Sequence, residues 1–324
     1  MIKITETEVF GFRAALRGMR NPMDSWDRSD SKFGSSAFDP AYAPDDPIRI
    51  AHRSWQLLGF HVPEFPIIGP LDMTRAKSLL LGGTEHRKFL RDIVIWCDIE
   101  PNRGCWQEID TYKVSTVRNS CSTMHKLGHR DLALDDFQDS FVDVDYLEKI
   151  NVIGREYRAG GKKDFSLVIK MKRMLPEGFL QKATYLMNYE NALNMFMQRK
   201  NHRLPEWRFT NTPLTSPPPG ACSTEGHRMF FGSTSDGQGV KRSICDWIYL
   251  LPYMSTLIEA VEARQAWREN RISMILAELS AAADNLAKAQ ELPGPPRLDA
   301  DDILVFMRGL VKKYGAATEP EQGP

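Results

Sequence analysis

A mixed α/β (α+β) fold is predicted from three features of this 324-residue chain. The N-terminus alternates apolar and polar residues, IVIWCDI is a β-branched and aromatic run, and later blocks carry helical periodicity. With 42% apolar residues, the chain can bury a core that folds unaided.

Taken in order, Ile2 and Ile4 alternate with Lys3 and Thr5, then Thr7 and Val9 with Glu6 and Glu8, predicting a short opening strand. FRAALRGM follows as a brief helix, ended by the Asn21-Pro22 turn signal. Residues 19–46 are rich in Ser, Asp, Gly and Pro and read as a long loop. Within it, Arg20 and Trp26 of RNPMDSWDRSDS could cover a substrate, a surface loop being the simpler reading. Residues 74–91 read as a helix, IVIWCDI as the next strand and 165–169 as a further strand. A helix is expected over 179–203, entered past Pro176 and Gly178. Another helical block runs from 244 past Pro252 to 288, followed by a PGPP break and a last amphipathic helix over 299–314.

Between 209 and 242 the composition turns to Pro, Thr, Ser and Gly. Such a segment buries too little apolar surface to offset its ordering entropy, so it reads as an insertion into a helical domain. The expected organisation is an N-terminal strand, helix and loop over 1–73, a main domain over 74–290 interrupted at 209–242, and a terminal helix with a polar tail over 291–324.

Lys plus Arg and Asp plus Glu are both 42, so no overall field draws the chain to nucleic acid or an anionic membrane. Any bound anion must be held locally. MIKITETEVF lacks the pattern of a signal peptide, and no stretch reaches the roughly 18 apolar residues of a span, so a cytoplasmic protein is expected. The cysteines, five in number and without a C-x-x-C pair, fit reduced thiols.

If 179–203 is one helix, a period of about 100° per residue sets Leu186, Leu193 and Met197 on one side and Asn188, Asn191, Arg199 and His202 on another. That stripe suits a ligand-facing surface or a solvated one. KMKRMLP places Lys170, Lys172 and Arg173 where cations could meet a phosphate at a strand end. Cys121, His125 and His129, spaced by four, could share a helical face as zinc ligands, but Gly128 interrupts them and a fourth ligand is lacking, so no metal is expected. Neither G-x-G-x-x-G nor a Walker loop occurs, and Ser120 has no nucleophile elbow around it.

Three blocks over about 84–207 follow one another with a family's spacing. EHRKFLR surrounds His86; QEIDTYKVSTVRNSCS holds Gln107, Ser115 and Ser120 in register; and Lys172, Leu175 and Pro176 precede Asn188, Asn194 and Arg199, with His202 one position early. Together these resemble the flavin-dependent thymidylate synthases. The chain departs from that pattern where the R-H-R triplet is replaced by Asp110, Thr111 and Tyr112, the final Arg of that motif by Ser122, and the helix Arg by Glu190.

The resemblance implies that family's fold with extra C-terminal helices, and a homotetramer with active sites between subunits. It implies dUMP or a related pyrimidine nucleotide as substrate, FAD as cofactor, and methylene-tetrahydrofolate and NADPH as co-substrates, for one-carbon transfer to the uracil ring by methylation or hydroxymethylation. Arg199 would stabilise the uracil anion; Ser120 and Lys172 would hold the phosphate, with Gln107, Ser115 and Arg173 in the same substrate set and Arg118 restoring a lost charge. His86, Asn188, Asn194 and His202 would face the flavin. The alternative is a non-catalytic pyrimidine-nucleotide-binding or structural relative. Nucleic-acid binding is disfavoured by the absence of a basic stripe with interleaved aromatics.

Overall fold

The apolar positions of the opening strand change parity midway, from residues 2 and 4 to 7 and 9, and the backbone accommodates the change with a bulge. In β1 (Ile2–Phe10) the register slips between Thr5 and Glu8, and Glu6 takes φ +49°. One extra residue turns both halves of the strand toward the same core, and Ile2, Ile4, Thr7 and Val9 are all buried.

The computed structural model describes residues 1–34, 55–56, 59–63, 65–138, 142–210 and 241–290, with 305, 308 and 309 beyond them. After β1 come α1 (Phe12–Arg20), β2 (Lys32–Gly34), β3 (Phe60–His61), β4 (Phe65–Ile67), α2 (Pro70–Leu81), β5 (Val94–Glu100) and α3 (Arg103–Ile109). β6 (Val117–Ser120), α4 (Thr123–Lys126), α5 (Val144–Ala159), α6 (Phe165–Met174), β7 (Ala183–Asn188), α7 (Tyr189–Arg199), β8 (Lys241–Arg242), α8 (Ile244–Tyr249) and α9 (Met254–Gln290) complete the order. Most of the helix expected over 299–314 lies outside the described residues, as do Cys222 and 211–240 of the expected insertion. The margins of that insertion belong to the fold: Phe209 packs edge-on to Phe196 at 5.0 Å, and β8 pairs with the start of β1.

The main sheet runs β3-β1-β5-β7-β6, with β8 also on β1. One face, through Ile95, Cys97, Ile99, Tyr185 and Met187, packs on the helices. The other face exposes Trp96 and Val117 and carries a shallow concavity of about 410 Å³ lined by Glu6, Glu8, Phe10, Trp96, Asp98 and Thr184.

Four expected elements differ, one of them the block expected from 244 past Pro252 to 288, which is split around Pro252 into α8 and α9. The helix expected over 74–91 begins earlier, with Pro70 in its first turn, and stops at Leu81; Gly83 at φ +122° turns the chain, and Arg87–Arg91 is only a 3-10 turn. Residues 165–169 form no strand but open α6, where the Asp164 side chain accepts the Ser166 N–H. Five apolar-rich residues cannot separate the two periods; the longer window, with Val168, Met171 and Leu175 buried, is helical.

The helix expected over 179–203 is a strand followed by a helix. Ala183, Tyr185 and Met187 are buried with a period of two, and β7 is paired on both edges, by β5 and β6. Those non-local bonds outweigh the helical preference of the segment. Asn188 ends the strand and caps α7, its Oδ1 accepting the Asn191 N–H at 2.9 Å. The amide and cation stripe drawn through Asn188, Asn191, Arg199 and His202 therefore does not exist as one helical face.

Arg20 is also no substrate cover. It is 5% exposed, its Nε donates to Asp72 Oδ1 at 2.6 Å, and the Ser29 and Ser31 hydroxyls donate to Asp72 Oδ2 at 2.6 Å each. This clamp ties residues 20–31 to α2.

Two cores are formed. The larger lies between the sheet and α1, α2, α3, α7, α8 and α9. A smaller one, of Leu127, Ile150, Ile153, Tyr157, Val168, Met171 and Leu175, holds α5 and α6 together as a helical lobe. Among the described residues no helix is long and apolar enough to cross a membrane.

Candidate functional site

The site forms where the end of α3 meets the end of α7. Asn102 caps α3, accepting the Cys105 N–H at 2.6 Å, and its Nδ2 donates to Gln138 at 2.7 Å and to the buried Glu206 at 3.1 Å. This half-buried network fixes α3, so that Glu108 and, just beyond the helix, Tyr112 face Arg199 in the last turn of α7. A cation suits that position, where the carbonyl end of the helix is partially negative.

The Arg199 guanidinium carbon lies 5.3 Å from the centre of the Trp207 ring, which is fully buried. Its Nε donates to Tyr112 Oη at 3.2 Å, and the Tyr112 hydroxyl donates onward to Gln198 at 3.1 Å. Nη1 stands 3.4 Å from Glu108 Oε2 and 3.0 Å from His202 Nε2, while His202 Nδ1 takes the Leu204 N–H at 3.2 Å. Burial works against the charge on Arg199, but Tyr112 and Glu108 outweigh it and keep the group protonated.

A second cation sits on the other side of α3. Arg118 lies 4.7 Å over the Trp106 ring and 2.8 Å from Asp110 Oδ2. Trp106 is held by its indole N–H on Gln181 O at 2.7 Å and by an edge contact with Tyr185 at 5.8 Å. A third charge exchange occurs at Glu190, which is buried and ion-paired with Arg91.

Of the residues singled out in the sequence, Arg199 and His202 come together, and Gln107 and Arg118 lie along α3, Gln107 reaching Glu177 at 3.4 Å. Ser120 is exposed at the end of β6, in register with Ala183 and so on the same face as Arg118. Ser115 is exposed, at φ +57°. Lys172 and Arg173 are exposed on α6, and among the described residues they make no hydrogen bond or ion pair with Arg199, Ser120 or Gln107. They stand at a helix end rather than a strand end. His86 is 54% exposed beside Glu85, and Asn194 is half-buried on α7. Asn188 is 1% exposed, with Nδ2 buried and unpartnered, at the opposite end of α7 from Arg199, roughly 16 Å away along a helix of this length.

Glu108, Tyr112 and Trp207 are the site groups that pattern reading missed. Tyr112 could have been found as the residue replacing the last position of the R-H-R triplet. Nothing local marks Glu108 as the partner of a residue 91 positions away. Cys121, His125 and His129 do not share a helical face, because α4 is a single turn that ends before Gly128.

The chain is similar to two solved structures of the flavin-dependent thymidylate synthase of Helicobacter pylori, each complexed with FAD and dUMP. Both are 13% identical; the TM-scores are 0.42 and 0.39, covering 62% and 63% of this chain and 86% of that one. The likeness concerns the fold and carries no residue role across. No protein-family model matches the sequence, and no curated protein matches it.

Proposed function

We propose that the junction of α3 and α7 binds a pyrimidine nucleotide of the dUMP class, and that the chain, a divergent relative of the flavin-dependent thymidylate synthases, transfers a one-carbon unit to the ring. The observation that carries this reading is the contact of Arg199 with Glu108 and Tyr112: two of the blocks on which the resemblance rests meet at a planar cation held over an indole.

Each residue then has a task. Trp207 and Tyr112 fix the plane of the guanidinium, so its outer donors can meet the ring oxygen of a pyrimidine without reorganising. Negative charge developing on that oxygen during attack at the ring would be stabilised by Arg199. Gln107 lies on α3 and Ser120 at the end of β6, and the rest of the nucleotide would extend toward them.

The flavin half is not supported in the same way. Asp110 puts a carboxylate where the family triplet begins with a cation, Arg118 is drawn to that carboxylate, and Asn188 is enclosed as a helix cap. These residues do not fit a flavin as the triplet would hold it. The same three pairings, Asp110 with Arg118, Glu108 with Arg199 and Glu190 with Arg91, favour the second reading, a nucleotide-binding relative without catalysis. Assembly into a homo-oligomer is part of the proposal and is supported by the open sheet face with Trp96 and Val117.

Ring-hydrogen release from dUMP labelled at the reacting carbon, with methylene-tetrahydrofolate, NADPH and added FAD, tests the activity. Release that Arg199→Ala abolishes is the expected result. dUMP binding without release would leave the second reading, and no dUMP binding would defeat both.

A further inference from the structure

We propose that Arg199 and His202 form a single receptor for a small oxyanion and that Glu108 occupies it as an internal stand-in, which deepens the nucleotide-site reading above and rests on it for the identity of the ligand. A neutral imidazole ring has one lone pair. Leu204 N–H points at Nδ1 from 3.2 Å and Arg199 Nη1 at Nε2 from 3.0 Å, and one lone pair can serve only one of them; we assign it to Nδ1, because the backbone N–H cannot turn to another acceptor whereas the guanidinium can.

Nε2 is then a donor 3.0 Å from Arg199 Nη1, which is also only a donor. Two donors at that separation call for an acceptor bridging them. Glu108 is the group on that side, but its oxygens stand 3.4 Å from Nη1 and 3.9 Å from Nε2, the second beyond hydrogen-bond length. Among the described residues, Nη2 of Arg199 has no hydrogen-bond partner. The pair therefore offers Nη1 and Nε2 to one loosely seated carboxylate, with Nη2 as a further donor on the same guanidinium. All three side chains remain between 22% and 29% exposed, so a ligand oxyanion can reach the donors from solvent.

A phosphate or an ionised ring oxygen is the same kind of acceptor as the Glu108 carboxylate and would compete for its place. Shortening both contacts, as charge-assisted bonds do, would give the ligand what Glu108 lacks. Glu108 thus sets a threshold: weak anions are excluded, and a ligand with further contacts displaces it.

The test uses the full chain and its Glu108→Gln variant, titrated calorimetrically with inorganic phosphate, deoxyuridine and dUMP. About tenfold tighter phosphate binding by Glu108→Gln, lost again in Glu108→Gln/Arg199→Ala, is expected for removal of a competing charge. If deoxyuridine rather than phosphate shows the gain, the receptor takes the ring oxygen. Equal affinities of both proteins for all three probes would overturn the proposal while leaving the nucleotide site intact if dUMP binds. A gain for phosphate with no dUMP binding by either protein would keep the receptor and reject the nucleotide reading. Without any substitution, nitrogen chemical shifts of His202 should place the lone pair on Nδ1; a lone pair on Nε2 would also overturn it.

Discussion

Arg118 lies 4.7 Å above Trp106 and 2.8 Å from Asp110, so a cation that could serve a phosphate is instead held between an indole and a carboxylate of its own chain. Both partners are about a third or more exposed, 31% and 43%, so solvent screens the pair and it should contribute less than about 1 kcal/mol. Asp110→Asn is therefore expected to leave the urea midpoint almost unchanged while strengthening the binding of added phosphate or FAD. A large loss of stability would show that Asp110 has a structural role beyond the pair.

The clamp at Asp72 predicts a specific acid response. Burial alone would raise this carboxyl, but hydrogen bonds from Ser29, Ser31 and Arg20, with the charge of Arg20, outweigh it and hold the carboxyl below the usual range. A depressed carboxyl contributes stability that is complete above its unfolded value and is lost as pH falls through the folded one. Urea midpoints should thus be flat from neutrality to about pH 5 and fall below about pH 4, and the fall should be shallower in Asp72→Asn. Arg20→Ala, which strands a buried carboxylate, should cost about 3–5 kcal/mol at neutral pH.

Gly11 adopts φ +98°, and a Cβ built there would stand 2.0 Å from the carbonyl oxygen of Asp92. Neither the backbone angle nor the neighbour can relax cheaply, because Asp92 closes the 3-10 turn over 87–91 and only Ile93 separates it from β5. Gly11→Ala should cost at least about 3 kcal/mol, measured by denaturant unfolding. Gly59→Ala, also at positive φ but with nothing within 4 Å, should cost distinctly less.

Thiol labelling followed by site-resolved mass spectrometry checks the burial of the sheet. Burial pushes the thiols of Cys97 and Cys105 far above their ordinary value and that of Cys245 up to about 12, so these three should react only on unfolding. Cys121 is exposed and should react in the native protein.

Much of the architecture could be read from the sequence wherever the deciding contacts are local. The two parities of β1 and the IVIWCDI strand are examples. The failures have a common cause. KATYLMN becomes a strand because β5 and β6 supply bonds on both of its edges, and FSLVI becomes helical because α5 offers a groove to Val168 and Met171. At the candidate site, motif spacing singles out Arg199 and His202, which the fold brings into contact, whereas the acidic partner of Arg199 comes from a distant part of the chain. Glu108 and Arg91 are unremarkable charges until the fold brings Arg199 and Glu190 to them, and Asp110, marked in the sequence only as a departure from the triplet, gains its partner in Arg118. A sequence motif records which charges are present, but not which of them are already spent on one another.

The helical lobe has its own apolar centre, and it meets the sheet domain through a seam that includes Arg103 N–H on Glu177 and Phe179 carbonyls, Arg103 Nη1 on Leu175 O, and the Phe137–Phe179 contact. Opening that seam would leave both apolar centres intact. Native-state hydrogen exchange should therefore resolve two cooperative units, amides of α5 and α6 exchanging together at a lower free energy than those of β5 and β7. Because Lys172 and Arg173 belong to the first of these units and Arg199 to the second, the distance between these cations would be a breathing coordinate of the molecule rather than a fixed dimension.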